Sequence, residues 1–420
     1  MISVAYAALW IFVFAVPWEA VVVVPGLAVG TRLTGGLALG LALFAVVISG
    51  RFRRWGLFHV AAVLFVAWAG VGIWVLLGAR GIPQKFYTFV QLLAMVWIIW
   101  ELAPSRRRQL GLLMAYVLGV SVAALGTLML YRSEAGELRR FAVAGADPNT
   151  HAMRLALAIP MAWYLGMTYQ RPLLRWVCRA YLPLALLAIG LTGSRGGMLA
   201  CIVSLLVVPM TMTLSPKRLA TAVVMLALSG ALAVAYVPDK VVQRLATTGS
   251  EVESARFGGR FKLWVAGVHA FAQRPVMGYG VSGFRPAIAP ELGSATDVAH
   301  NSFLSVPVEE GLVGLLFYLL MLLSVYLAIL RLPRLDRRFA LVLFGTLITA
   351  MLPLTWEDQK TAWFIMAALF GMAKIQATGL SRAVPRPAGR AAPIGSPALA
   401  ARETERLAAA GRPRGRDATA

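Results

Sequence analysis

The sequence predicts an all-α, polytopic helical membrane protein of about twelve transmembrane helices with one large loop outside the membrane. Three observations predict it. Of the 420 residues, 59% are apolar and 14% charged, and the mean hydropathy is +0.74; a soluble domain is nearer roughly 45–50% and 25%. The apolar residues form continuous runs, whereas a transmembrane barrel would alternate apolar with polar. The runs are close to the ~20 residues that one bilayer crossing takes. An ordinary soluble domain and a disordered chain are both excluded by this composition.

In chain order the runs fall at 2–24, 34–50, 57–78, 83–102, 109–131, 151–169, 177–193, 197–213, 219–237, 303–330, 339–353 and 361–378. The first has neither a basic leader nor a small-residue cleavage site, so it reads as a retained helix rather than a signal peptide. Alternate connections are basic: Arg51, Arg53 and Arg54; Arg106, Arg107 and Arg108; Arg171, Arg175 and Arg179; Lys217 and Arg218; Arg331, Arg334, Arg337 and Arg338. With the tail they hold more than half of the 40 Lys and Arg. Basic loops face the cytoplasm, which puts both termini there and agrees with an even number of spans. The net charge of +22 is therefore a topology signal and implies no nucleic-acid partner.

The organisation that follows is nine helices over 1–238, a large loop over 239–302, three helices over 303–378 and a basic tail over 379–420. The tail is rich in Ala, Arg, Pro and Gly, cannot bury a core and is expected to be disordered and solvated; attraction to anionic lipid is the alternative. No repeat suggests two pseudo-symmetric transporter halves. Cys178 and Cys201 lie near opposite ends of adjacent runs and read as structural.

Most acids sit on the side opposite the basic loops, and so do the polar residues that stand at membrane boundaries. Ionisable groups at such depth are costly and tend to mark function. Arg195 lies in the turn Gly193-Ser194-Arg195-Gly196-Gly197; its guanidinium suits either a bidentate grip on phosphate or snorkelling to headgroups. Asp147-Pro148-Asn149-Thr150-His151 precedes the sixth run, where Asp147 is placed to cap a helix. Arg154 is one turn further in, on a face shared with His151, and suits substrate contact or pairing with an acid. In the long loop, Arg256 and Arg260 flank Phe257-Gly258-Gly259, and Phe261, Trp264, Val265, Val268 and Phe271 follow at helical spacing. That stretch reads as an amphipathic helix in the membrane interface. Arg274-Pro275 to Phe284 is turn-rich. The sharpest signal is His300-Asn301-Ser302 at the mouth of the tenth run, followed by Glu309, Glu310, Gly311 and Gly314. His59 and His269 read as structural. No Asp-x-Asp pair occurs, and Glu251-x-Glu253 lacks a His partner, so no metal site is expected.

These residues make the chain resemble the O-antigen ligase family of bacterial integral-membrane glycosyltransferases, which includes ligases and related polymerases. The family signature, His followed by Asn, Ser or Gln, nine residues, then Gly-x-x-Gly, is matched by His300, Asn301, residues 302–310, Gly311 and Gly314. The turn from Thr192 to Gly197, the Asp147-Pro148-Asn149 segment, the spacing of Gly259-Arg260 to Trp264, and Pro275 with Gly278 and Gly280 also resemble it. The resemblance runs from about 140 to 375 in the family's order; the first 130 residues match in hydropathy alone.

The resemblance implies a GT-C-like bundle with a periplasmic loop subdomain in the bacterial inner membrane, and metal-independent, inverting transfer without a cofactor. The donor would be a glycan on undecaprenyl diphosphate. The acceptor would be a hydroxyl on a core lipid, a growing polysaccharide or a protein; membrane lipids and polysaccharide-assembly proteins are the expected partners. His300 is assigned as general base, and Arg260 and Arg195, then Arg256, as the positive charge for the leaving diphosphate. Asn301 is assigned to orient the base or the sugar, and Glu310 to hold the acceptor or an arginine. Asp147, Asn149 and Arg154 complete the binding set. Ligation is favoured over polymerisation. A lipid-linked glycan transporter is the competing class, but its polar groups would be expected near the midplane.

Overall fold

The computed structural model describes residues 1–19, 30–50, 52–77, 82–134, 140–143, 145–212, 260–293 and 298–377, with isolated positions between 220 and 231. The first half of the long loop, with Arg256, lies outside the described residues, as do nearly all of the ninth run and the tail after 377.

The described residues are helical throughout, without a strand. The helices are α1 Ile2–Ala15, α2 Gly30–Ser49, α3 Leu57–Gly72, α4 Gln84–Leu102, α5 Arg106–Glu134, α6 Pro148–Thr168, α7 Pro172–Thr192, α8 Arg195–Leu205 and α9 Val207–Thr211. After the gap come α10 Arg260–Gln273, α11 Phe284–Leu292, α12 Ser302–Leu330, α13 Arg334–Met351 and α14 Lys360–Ala377. Eleven of the twelve apolar runs fall on these elements. Among the described residues six helices are long and apolar enough to cross a membrane: α2, α3 with its continuation to Val75, α4, α5, α7 and α12. The other runs lie on shorter or less apolar helices. The chain is a polytopic helical membrane protein.

Local chemistry sets several boundaries. Asp147 caps α6, its Oδ1 accepting the Thr150 N–H at 2.8 Å, and Pro148 fills the first helical position, where a missing N–H costs nothing. α7 ends on Gly193 in the left-handed region at φ 56°, a conformation glycine adopts freely. Ser194 then caps α8 by accepting the Gly197 N–H at 3.1 Å.

α6 is the centre of the bundle, packed on α5, α7, α8 and α13, and from His151 to Gly166 only Trp163 is not fully buried. α12 lies along α3 and α14. The outward faces carry Leu316, Leu319, Leu323 and Val47. In lipid such exposure carries no penalty, because hydrocarbon tails are as apolar as leucine.

The two ends of the bundle differ. At one end the basic connections dock on the helix ends: the Arg106 Nη atoms reach Asp336 Oδ2 and the Tyr164 hydroxyl, each at 2.8 Å, and Arg108 Nη1 reaches the Leu102 carbonyl at 2.8 Å. Those bonds explain why α5 begins at Arg106, inside the basic cluster, three residues earlier than the apolar run. The motif residues collect at the other end.

Candidate functional site

The site is built around a break in α12. Gly311 has φ 65° and ψ −168°, outside helical geometry. The carbonyls freed there are taken by the segment 275–283: Tyr279 N–H donates to Val308 O at 2.9 Å, Gly280 N–H to Glu309 O at 2.7 Å, and Leu312 N–H returns to Pro275 O at 2.7 Å. Non-helical backbone at membrane depth is tolerated when its polar groups are satisfied in this way. A Cβ on Gly311 would lie 2.1 Å from Val276 O, and one on Gly278 2.5 Å from Glu309 O. Two motifs that are 30 residues apart in sequence are thus one device.

His300 sits just before α12 with φ 46°. Few non-glycine residues take this region, histidine more readily than most, and such strain clusters at functional sites. The backbone is anchored on both sides. Trp264 Nε1 donates to Ala299 O at 3.0 Å. On the other side Asn301 caps α12, its Oδ1 accepting Phe303 N–H at 2.9 Å. The Ser302 hydroxyl donates to Leu354 O at 3.0 Å and accepts Trp356 N–H at 2.7 Å.

The amphipathic helix predicted in the long loop is α10. Leu263, Ala266, Gly267 and Ala270 face inward, while Phe261 and Val268 are exposed. Small residues win because they allow close approach: a Cβ on Gly267 would meet Leu304 Cδ2 at 3.0 Å and Phe284 Cε2 at 3.1 Å.

The loop 352–359 between α13 and α14 is the hub. Arg260 Nη1 donates to Pro353 O at 3.0 Å. The Pro353 ring packs against the turn after Arg195, with Cγ 3.1 Å from where a Gly196 Cβ would lie. Arg260 and Gly196, the residue after Arg195, therefore share Pro353 as a neighbour, and Ser302, two residues from His300, is bonded to the next residue of that loop. Partial burial pulls the Arg260 pKa down, and nearby Asp147 pulls it back up; a guanidinium keeps its charge regardless.

Asn149 Oδ1 accepts Arg140 Nη2 at 2.7 Å and the Ser194 hydroxyl at 3.1 Å, tying the start of α6 to the α7–α8 turn. Arg154 is buried in the bundle, its Nη2 3.1 Å from Glu19 Oε1 and 3.3 Å from Gln359 Oε1. Glu310 is 2% exposed. Its carbonyl accepts Trp68 Nε1 at 2.8 Å, and among the described residues neither carboxyl oxygen has a hydrogen-bond partner. The structure thus brings His300, Asn301, Arg260, Arg195, Asp147 and Asn149 to one corner. Arg154 is buried on Glu19, which Lys360 also reaches, and meets the 352–359 loop through Gln359.

The sequence reading missed Lys85. Its Nζ lies 2.8 Å from Glu309 Oε2 and 2.7 Å from Glu357 Oε1. A lysine in the first turn of α4, on the side otherwise rich in acids, was the available signal. No group of three His, Cys, Asp or Glu among the described residues is placed to hold a metal ion.

A family model described as O-antigen ligase matches residues 180–319. The match covers the α7–α8 turn, Arg260, His300, Gly311 at the α12 break and Gly314. No curated protein matches the chain.

Proposed function

We propose, from the match of residues 180–319 to the O-antigen ligase family model, that the chain is a metal-independent, inverting glycosyltransferase. It moves a glycan from undecaprenyl diphosphate to an acceptor hydroxyl, on lipid A-core or a similar lipid, at the periplasmic face of the bacterial inner membrane. The observation that carries this reading is His300: a strained histidine, anchored on both sides, on the corner that also holds Arg260 and Arg195.

In the reaction the acceptor oxygen attacks the anomeric carbon from the face opposite the diphosphate. The new C–O bond forms as the bond to the diphosphate oxygen breaks, so the configuration inverts. The hydroxyl proton passes to His300, imidazole being the side chain best suited to act as a base near neutral pH. Undecaprenyl diphosphate departs with the bonding electrons. Arg260 and Arg195 face the charge that grows on it, the kind of fixed electrostatic support that lowers such barriers most. Asn301 is committed to its helix cap by Oδ1, so its role is to fix the backbone beside the base, with its amide nitrogen directed to sugar. Glu310 is assigned to the acceptor side, and Arg256 to the diphosphate with Arg260.

The test uses purified protein in sealed proteoliposomes with EDTA, given undecaprenyl-diphosphate glycan with and without lipid A-core. A single product shift that requires the acceptor supports ligation. A ladder from donor alone would establish a polymerase on the same site. Donor crossing the bilayer without any glycosidic product would replace the enzyme with a transporter.

A further inference from the structure

Lys85 takes no part in the reaction just described, yet it holds an enclosed charge cluster at this end of the bundle. Its side chain is 12% exposed, that of Glu309 7% and that of Glu357 1%. Three elements meet on the one ammonium: α4 through Lys85, α12 through Glu309 and the 352–359 loop through Glu357. Glu357 Oε1 also accepts the Ser305 hydroxyl at 2.7 Å, and Glu309 Oε2 also accepts the Ser282 N–H at 3.1 Å. The second bond draws in the 275–283 segment that fills the break in α12.

A lysine at a helix N-terminus is opposed by the helix dipole, and a buried ion cluster adds little stability over apolar packing. Its arrangement is better explained by what it fixes. The 352–359 loop supplies the Arg260 partner at Pro353 and both Ser302 partners at Leu354 and Trp356. Holding that loop against α12 therefore sets the candidate base and the candidate phosphate-binding arginine relative to each other.

We propose that Lys85 is a positioning residue: by bridging Glu309 and Glu357 it locks the 352–359 loop and the 275–283 segment onto α12, and so holds His300 and Arg260 in register. The catalytic consequence rests on the reading of His300 and Arg260 given above; the locking itself does not.

Hydrogen exchange in nanodiscs, followed by mass spectrometry, reads the lock directly. Lys85→Met should speed exchange in 275–283 and 352–359 while the core of α6 stays protected. Lys85→Arg, which keeps the bridge, should exchange like the wild type. With undecaprenyl-diphosphate glycan and lipid A-core, Lys85→Met should lower kcat by about tenfold or more, with the donor KM changed less, because a small misplacement near the chemistry is costly. Where Lys85→Met fails to fold, Lys85→Met with Glu357→Gln removes the bridge at unchanged net charge and should show the same pattern. Wild-type exchange in both segments, in whichever variant folds, overturns the proposal. Altered exchange with an unchanged kcat overturns its catalytic part. A wild type without transfer activity would sink the function proposed above, and the exchange data would still decide the lock.

Discussion

His300 is the residue where backbone and chemistry are hardest to separate, since its φ of 46° would persist whatever the side chain did. His300→Asn separates them. Asparagine also tolerates the left-handed region, so the fold should hold while the base is lost. The expected result is a fall of about 10²- to 10⁴-fold in kcat, the usual worth of a positioned general base, with an unchanged melting temperature in detergent. Wild-type activity in that variant would remove His300 from the mechanism. Arg260 is a second case. Arg260→Lys keeps the charge but replaces a planar fork with a point charge, so kcat/KM for the donor should stay near that of Arg260→Ala; recovery by lysine would mean that charge alone matters. The motifs made both positions candidates from the sequence. Their supports were not: Trp264 reaches Ala299 across 35 residues, and Ser302 reaches Trp356 across 54. No local pattern encodes such distances.

Helices were legible where an apolar run approached the length of a crossing, and α3, α4 and α12 follow their runs to within a few residues at most ends. The break inside α12 was not. Leu304 to Leu330 reads as one apolar helix, and nothing in it shows that Gly311 leaves helical geometry. The cause lies in another element, because the break is stable only where Tyr279, Gly280 and Pro275 take up the freed polar groups. Gly311→Ala tests that account. The new Cβ would meet Val276 O at 2.1 Å in a left-handed backbone, so the residue must rotate back or the 275–283 segment must leave. Strain of this kind costs about 1–3 kcal/mol before the clash is counted. The expected outcome is a lower melting temperature, together with faster exchange at Tyr279 and Gly280. A variant as stable and as protected as wild type would mean that the break forms without the segment. Ser302→Ala is milder: the Trp356 N–H and Leu354 carbonyl lose their shared hydroxyl, at a cost of about 1–3 kcal/mol for buried groups left unpaired.

Across the whole molecule, charge separates the two ends more clearly than any motif does. One end carries Arg53, Arg106, Arg108, Arg331 and Arg334; the other carries the motif corner with Glu19, Glu309 and Glu357. Some basic residues are held locally: Arg53 donates its backbone N–H to the Glu101 carboxylate, and the Arg106 guanidinium pairs with Asp336. Acids count for little in setting topology, whereas the bias of Lys and Arg counts for much, so this end is expected in the cytoplasm and the corner of His300 outside it. Single cysteines decide the matter. Cys178 and Cys201 are buried, which leaves a quiet background for Ala272→Cys on α10 and Leu335→Cys at the basic end, two positions exposed in the fold. A membrane-impermeant maleimide added to intact spheroplasts should label Ala272→Cys and reach Leu335→Cys only after permeabilisation. The reverse pattern would put His300 in the cytoplasm, where it could not meet a donor glycan presented in the periplasm, and the transfer reaction proposed for this corner would fall with it.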